Sequence, residues 1–187
     1  MNEQDILAIF QKAGALLEGH FLLTSGLHSP VYWEKFRVLQ LPEYTSRLCE
    51  LIATHYKNQG IQVVAGPTTG GVILAFETAK QLGVRCAIAE KDGNTRVFRR
   101  GFSIEAGERV LIVDDILTTG GSLLEVINAV KQLNAVVAGI GVLVDRSDQE
   151  IALDAPFFSC LRSITKTYKA DECPLCSMGV PLVRLGG

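Results

Sequence analysis

The sequence predicts one α/β domain built around a mostly parallel sheet, and three observations carry that prediction. β-branched runs at Val63–Ala65, Val110–Val113 and Val136–Val144 alternate with stretches of helical periodicity, the pattern of strand–helix–strand units. Val110-Leu111-Ile112-Val113 is apolar at every position, as a strand covered on both faces must be. Two of these runs pass into loops of glycine and threonine with a helix directly behind them. No linker divides the 187 residues, so we expect a single domain over 1–187, with a core at about 36–149 and a small hood from about 1–35 and 150–187.

Composition narrows the function classes. With 48% hydrophobic and 20% charged residues the chain can bury a full core. A formal net charge of −2 lacks the basic surplus of a nucleic-acid footprint, so no nucleic-acid partner is expected. No apolar run approaches the roughly 20 residues of a membrane span, and Met1-Asn2-Glu3-Gln4-Asp5 lacks the basic start of a signal peptide, so no membrane partner is expected either. The cytoplasm is the expected compartment, with the five cysteines as free thiols.

Taken in order, Ile6, Ile9, Phe10, Ala13, Leu16 and Leu17 space out an amphipathic helix from Asp5 to Leu17. Gly19 to Trp33 reads as two extended pieces around a Ser25-Gly26 turn, with Ser29 held extended by Pro30. Pro42 opens a helix with Leu48, Leu51 and Ile52 as its inner stripe, and Gly60 closes it. Val63-Val64-Ala65 is a strand leading into Gly66-Pro67-Thr68-Thr69-Gly70-Gly71, after which Ile73, Leu74, Ala79 and Leu82 mark a helix. Cys86 to Glu90 is a short strand. The polar stretch Lys91–Gly101, turning at Asp92-Gly93-Asn94, reads as a solvated hairpin.

Val110–Val113 then runs into Asp114-Asp115, the loop Thr118-Thr119-Gly120-Gly121-Ser122 and a helix that stops at Asn134. Glycines let successive backbone N–H groups converge, and the helix behind them adds its partially positive end, so this loop and the one at Thr68–Gly71 are both suited to bind phosphate. The two carboxylates would repel phosphate and suit sugar hydroxyls or a metal. The strand Val136–Val144 ends in Asp145-Arg146, which places an arginine at the carboxyl edge where such sheets bind ligands. In the tail, Cys173-Pro174-Leu175-Cys176 is half a zinc site. No histidine lies near it in sequence, since His20, His28 and His55 are far upstream, so the pair is expected to be structural thiols with no metal.

The run from Val110 to Ser122 resembles the signature of the type I phosphoribosyltransferases, which bind 5-phosphoribosyl 1-pyrophosphate (PRPP). That resemblance implies the type I fold, with Asp114 and Asp115 on the ribose hydroxyls, Thr118–Ser122 around the 5′-phosphate, and Thr68, Thr69, Gly70 and Gly71 as the pyrophosphate loop. Gly-x-Phe-x-Leu-x-Ser-Gly-x-x-Ser-Pro-x-Tyr-Trp, from Gly19 to Trp33, is similar to the hood of orotate phosphoribosyltransferases and implies Tyr32 and Trp33 as stacking residues for the base. In that group an Asp-Arg pair after the last core strand supplies an arginine for the orotate carboxylate, which points to Arg146. Lys91–Gly101 would correspond to the mobile catalytic loop that crosses to the other subunit of a homodimer, with Lys91, Arg99 and Arg100 as its candidate cations. Mg²⁺, bound mainly through PRPP, is the implied cofactor, and orotate and PRPP are the implied substrates. Many orotate enzymes carry lysines where this chain has Thr24 and Gly70. A purine phosphoribosyltransferase and a PRPP-sensing regulator are the rivals; the hood pattern and Arg146 count against the first, and the lack of basic surplus against the second.

Overall fold

The computed structural model describes residues 1–23, 25–149 and 151–185; Thr24, one of the two departures noted above, lies outside them. The chain opens with α1 (Glu3–Lys12), whose Asn2 and Asp5 side chains cap each other's backbone N–H groups. The expected helix to Leu17 therefore stops early. Gly14 takes a φ of +65°, and Leu16 and Leu17 belong to the strand β1 (Leu16–Leu22), whose inner face continued the apolar spacing. β1 pairs antiparallel with β2 (His28–Trp33), and a short helical turn, α2 (Phe36–Leu39), leads to α3 (Pro42–Tyr56).

The core alternates as expected: β3 (Val63–Pro67), α4 (Gly70–Leu82), β4 (Arg85–Asp92), β5 (Thr95–Phe98), β6 (Arg109–Leu117), α5 (Gly121–Gln132), β7 (Val136–Asp145) and β8 (Phe157–Arg162). The sheet order is β5-β4-β3-β6-β7-β8, parallel throughout except for β5, which forms an antiparallel hairpin with β4. On β6, Leu111 and Val113 pack with Leu48 and Ile52 of α3 and Leu74 of α4. Val110 and Ile112 face the other way, against Leu123, Val126, Ile127 and Val130 of α5. That two-sided burial is why β6 could be recognised from an unbroken apolar run.

Helix α3 lies close on β7 because two strand residues lack side chains. A Cβ on Gly139 would collide with the Tyr56 ring, and one on Gly141 would come within 2.6 Å of Ile52 Cγ2. The Tyr56 hydroxyl donates to the carbonyls of Ile140 and Pro156 at 2.9 and 3.1 Å, so the buried ring also ties down the segment entering β8.

One boundary shifts. Residues expected in the hood from 150 onward include β8, which pairs with β7 in the main sheet, so the tail part of the hood begins after Arg162. From there the chain returns to the β1–β2 hairpin. His28 and Tyr168 exchange backbone hydrogen bonds of 2.8 and 2.9 Å; Val183 accepts from Leu22 at 2.9 Å and donates to His20 at 2.8 Å. A 3₁₀ turn (Ala170–Glu172) and α6 (Pro174–Ser177) lie between these two contacts. No described helix is long and apolar enough to cross a membrane.

Candidate active site at the carboxyl ends of the strands

Strand succession runs outward in both directions from the β3–β6 boundary, so the loops after β3 and β6 diverge there and leave a crevice at their carboxyl ends. Both candidate phosphate loops open onto it. After β3, Thr68 and Thr69 are exposed and joined by a cis peptide, and α4 starts at Gly70. After β6, exposed Thr118 and Thr119 lead to Gly120, which caps α5 at a φ of +80°. A depression of about 240 Å³ is lined by Asp114, Thr118, Thr119, Gly120, Gly121 and Ser122. A Cβ on Gly121 would meet only Thr119 Oγ1, at 4.0 Å, so this glycine borders open space.

Asp114 and Asp115 lie near the carboxyl end of β6 and are 7% and 4% exposed. Asp114 Oδ1 accepts the Asp115 N–H at 2.9 Å, and Asp115 Oδ1 accepts from Ile116 N at 2.7 Å. Burial, reinforced by the charge of Asp115, pushes the Asp114 carboxyl up to about 7. Lys35 lies across Asp115, with Nζ 3.0 and 2.9 Å from its two oxygens. Sequence reasoning missed Lys35, because an isolated lysine between the hood and a helix has no pattern to mark it. It also bears on the departure at Gly70. A Cβ there would collide with Asp115 Oδ2 unless that carboxylate turned aside, and an ammonium reaches the acidic pair from the hood side, at Lys35.

The polar stretch after β4 is a hairpin, as its turn residues indicated. Its expected cations are all ion-paired: Lys91 with Glu125 at 2.6 Å, Arg99 with Asp92, and Arg100 with Glu90 at 2.7 Å. The residue that reaches the crevice is Arg96, which was not among the expected site residues. Only 9% exposed, it donates to Thr68 Oγ1 at 3.3 Å, Ser122 Oγ at 3.2 Å and Ala89 O at 3.0 Å, and its Nε lies 3.2 Å from Glu125 Oε2. It thus touches a side chain from each loop. The alternation along β5, which turns every second residue inward, was the signal that could have found it.

The two hood aromatics part company. Trp33 is 5% exposed and meets the Phe10 ring edge-on at 5.1 Å, so it is a core residue and has no face for a base; this corrects the expectation for it. Tyr32, one position along, points to the opposite side of the hairpin, is half-buried, and lies 5.7 Å from the ring of Phe21. Tyr32 is also a polar neighbour of Arg146. Burial lowers the pKa of that guanidinium, with Tyr32 as the opposing influence. Arg146 Nε is buried and unpaired among the described residues, because Asp145 beside it is committed to Ser147, accepting from its N at 2.9 Å and its Oγ at 2.6 Å. A half-buried arginine with an unanswered donor suits an anionic ligand group.

The tail cysteines hold the other correction. His20 and His28, expected to be remote from Cys173 and Cys176, converge on them across separations of 148 to 156 residues, with all four ligand atoms within 4.8 Å of one another.

The phosphoribosyl transferase domain family matches residues 37–175. An orotate phosphoribosyltransferase of Desulforamulus reducens is 47% identical over 186 residues, covering 100% of this chain and 97% of that protein. Among solved structures, orotate phosphoribosyltransferase from Aeropyrum pernix superposes with a TM-score of 0.67 at 26% identity, over 96% of this chain and 91% of that one. Orotate phosphoribosyltransferase of Mycobacterium tuberculosis H37Rv gives 0.69 at 22% identity, over 84% and 96%. Two glycine loops facing one crevice, a buried acidic pair between them and full-length likeness at this level lead to one conclusion: the chain belongs to the phosphoribosyltransferase family, in its orotate phosphoribosyltransferase group.

Proposed function

We propose that this protein is an orotate phosphoribosyltransferase: orotate and PRPP give orotidine 5′-phosphate and pyrophosphate, a step of pyrimidine synthesis. The observation that carries the choice of base is Arg146, half-buried at the carboxyl edge of β7 with Nε unpaired among the described residues and Tyr32 beside it. A planar guanidinium suits the carboxylate of orotate, and the tyrosine face suits its ring.

In this reading Asp114 and Asp115 accept from the ribose 2′ and 3′ hydroxyls. Backbone N–H groups of Thr118–Ser122 and the start of α5 hold the 5′-phosphate, and Thr68–Gly71 with the start of α4 hold the pyrophosphate. N1 of orotate forms its bond to the anomeric carbon as the bond to pyrophosphate breaks, through a state of oxocarbenium character. Help from the protein is positional and electrostatic. Lys35 and Arg96 are the cations nearest the acidic pair and the two loops, and join Lys91, Arg99 and Arg100 as residues through which leaving-group charge could be met. The carboxylate and hydroxyl oxygens of the crevice, with Asp114 held where burial disfavours its charge, fit a hard divalent cation. Mg²⁺, held mainly through PRPP oxygens, would supply neutralisation of the pyrophosphate.

A cytoplasmic homodimer with shared active sites completes the proposal. The test is turnover of PRPP with Mg²⁺ and a panel of orotate, uracil, adenine, hypoxanthine and guanine. Orotidine 5′-phosphate as the dominant product is expected, and a preference for any purine would overturn the assignment.

A further inference from the structure

The geometry points to a structural zinc site in the hood, formed by His20, His28, Cys173 and Cys176. His20 Nε2 lies 2.9 Å from His28 Nδ1, 3.5 Å from Cys173 Sγ and 3.8 Å from Cys176 Sγ, and Cys176 Sγ lies 3.3 Å from His28 Nδ1. Zn–N bonds of about 2.0–2.1 Å and Zn–S bonds of about 2.3 Å at tetrahedral angles imply N–N, N–S and S–S edges of roughly 3.3, 3.5 and 3.8 Å. The three N–S separations are already within a few tenths of an ångström of that figure, and the N–N edge needs a comparable opening.

The outer contacts agree. His20 Nδ1 lies 2.8 Å from Val180 O. As the donor there it leaves the Nε2 lone pair turned into the cluster, the arrangement that orients metal-bound histidines. Three of the four residues are buried and only Cys176 is exposed, so the set is closed and offers no open position for substrate; that marks a structural centre and not a catalytic one. Binding would release one proton from each thiol to solvent. Two thiolates and two neutral imidazoles around Zn²⁺ leave a centre of zero net charge, which suits a buried position.

The tail also lacks other means of holding its place. Among the described residues from 163 to 185, Cys173 alone is buried, so the segment has almost no apolar core with which to dock on the β1–β2 hairpin. A metal clip replaces that core, as in small domains that cannot bury enough surface. It ties the tail to the strand that carries Tyr32, four residues beyond His28.

Three readouts on the full-length protein test this. Protein purified under reducing conditions without chelator is expected to carry roughly one zinc per chain by elemental analysis. Cobalt added to stripped protein should give tetrahedral d–d bands with thiolate-to-cobalt charge transfer. Cys176→Ser, at an exposed position that tolerates the change, should lose that charge transfer in part and weaken zinc binding by at least about tenfold, while Cys86→Ser binds like the parent. Trypsin cleavage at exposed Lys169 and Arg184 should accelerate when zinc is stripped and slow again on its return. The proposal is overturned if the wild type takes up neither zinc nor cobalt, if Cys176→Ser binds as tightly as the parent, or if mass analysis finds Cys173 and Cys176 joined in a disulfide as purified. Tail cleavage indifferent to zinc would overturn the structural role.

Discussion

Asp114 and Arg146 are both held in surroundings that disfavour their charge. For Asp114 this has a consequence for stability. A carboxyl whose folded pKa, about 7, lies above its unfolded value binds more proton in the folded state, so the unliganded protein loses stability as pH rises from the ordinary aspartate range through about 7. Asp114→Asn keeps the acceptor for Asp115 N and removes the titration. Its melting temperature should therefore exceed that of the wild type near pH 8, by about 2–4 °C for each kcal/mol relieved, with the difference shrinking towards pH 4. Activity should fall roughly 10- to 100-fold as a charge-assisted bond to ribose is lost. Equal melting curves at both pH values would show that Asp114 is not held protonated by its surroundings. Arg146→Ala should cost on the order of 2–5 kcal/mol in kcat/KM for orotate, with KM for PRPP little changed. Arg146→Lys should recover little, since an ammonium lacks the planar fork. Steady-state kinetics with orotate and uracil at saturating PRPP reads both effects, and an unchanged preference for orotate would remove Arg146 from the site.

Among the elements, glycine serves two different ends, and mutation separates them. At Gly121 a side chain meets open space, so Gly121→Val should fold normally and weaken PRPP binding by filling the phosphate cradle at the start of α5. Calorimetric titration checks this, and unaltered affinity with intact melting would move the cradle elsewhere. At Gly139 the same change drives a side chain into the Tyr56 ring, between α3 and β7. Gly139→Val should cost about 1–3 kcal/mol or more in urea unfolding, while KM values in the folded enzyme stay near those of the parent.

For the whole molecule, the question is whether one chain owns a complete site. Within the described chain, Arg96 of the β4–β5 hairpin reaches the crevice, while Lys91, Arg99 and Arg100 are paired with carboxylates of that hairpin and of α5. If the hairpin serves a partner's crevice, a Lys91→Ala/Arg99→Ala/Arg100→Ala chain mixed with an Asp114→Asn/Asp115→Asn chain should regain activity, because each mixed dimer holds one intact composite site. Two inactive parents that remain inactive after verified subunit exchange would show that each crevice works with its own hairpin.

By itself the sequence determined what local pattern can carry. The apolar run of β6, the acidic pair and the glycine loop behind it lie within a few residues of one another, and the first glycine loop directly follows β3, so strand, turn and helix signals coincide with the chemistry. Tyr32 and Trp33 were legible as a pair, yet which of them is core depends on which face of β2 meets Phe10, and that is a matter of packing. Lys35 on Asp115 was invisible because its partner lies far along the chain, and Arg96 between the loops was marked only by the alternation along β5. His20 and His28 meet Cys173 and Cys176 across separations of 148 to 156 residues. Sequence spacing places a CxxC without naming its partners. Only the return of the tail along the β1–β2 hairpin, fixed by backbone hydrogen bonds at His28 and Val183, brings those partners within bonding distance.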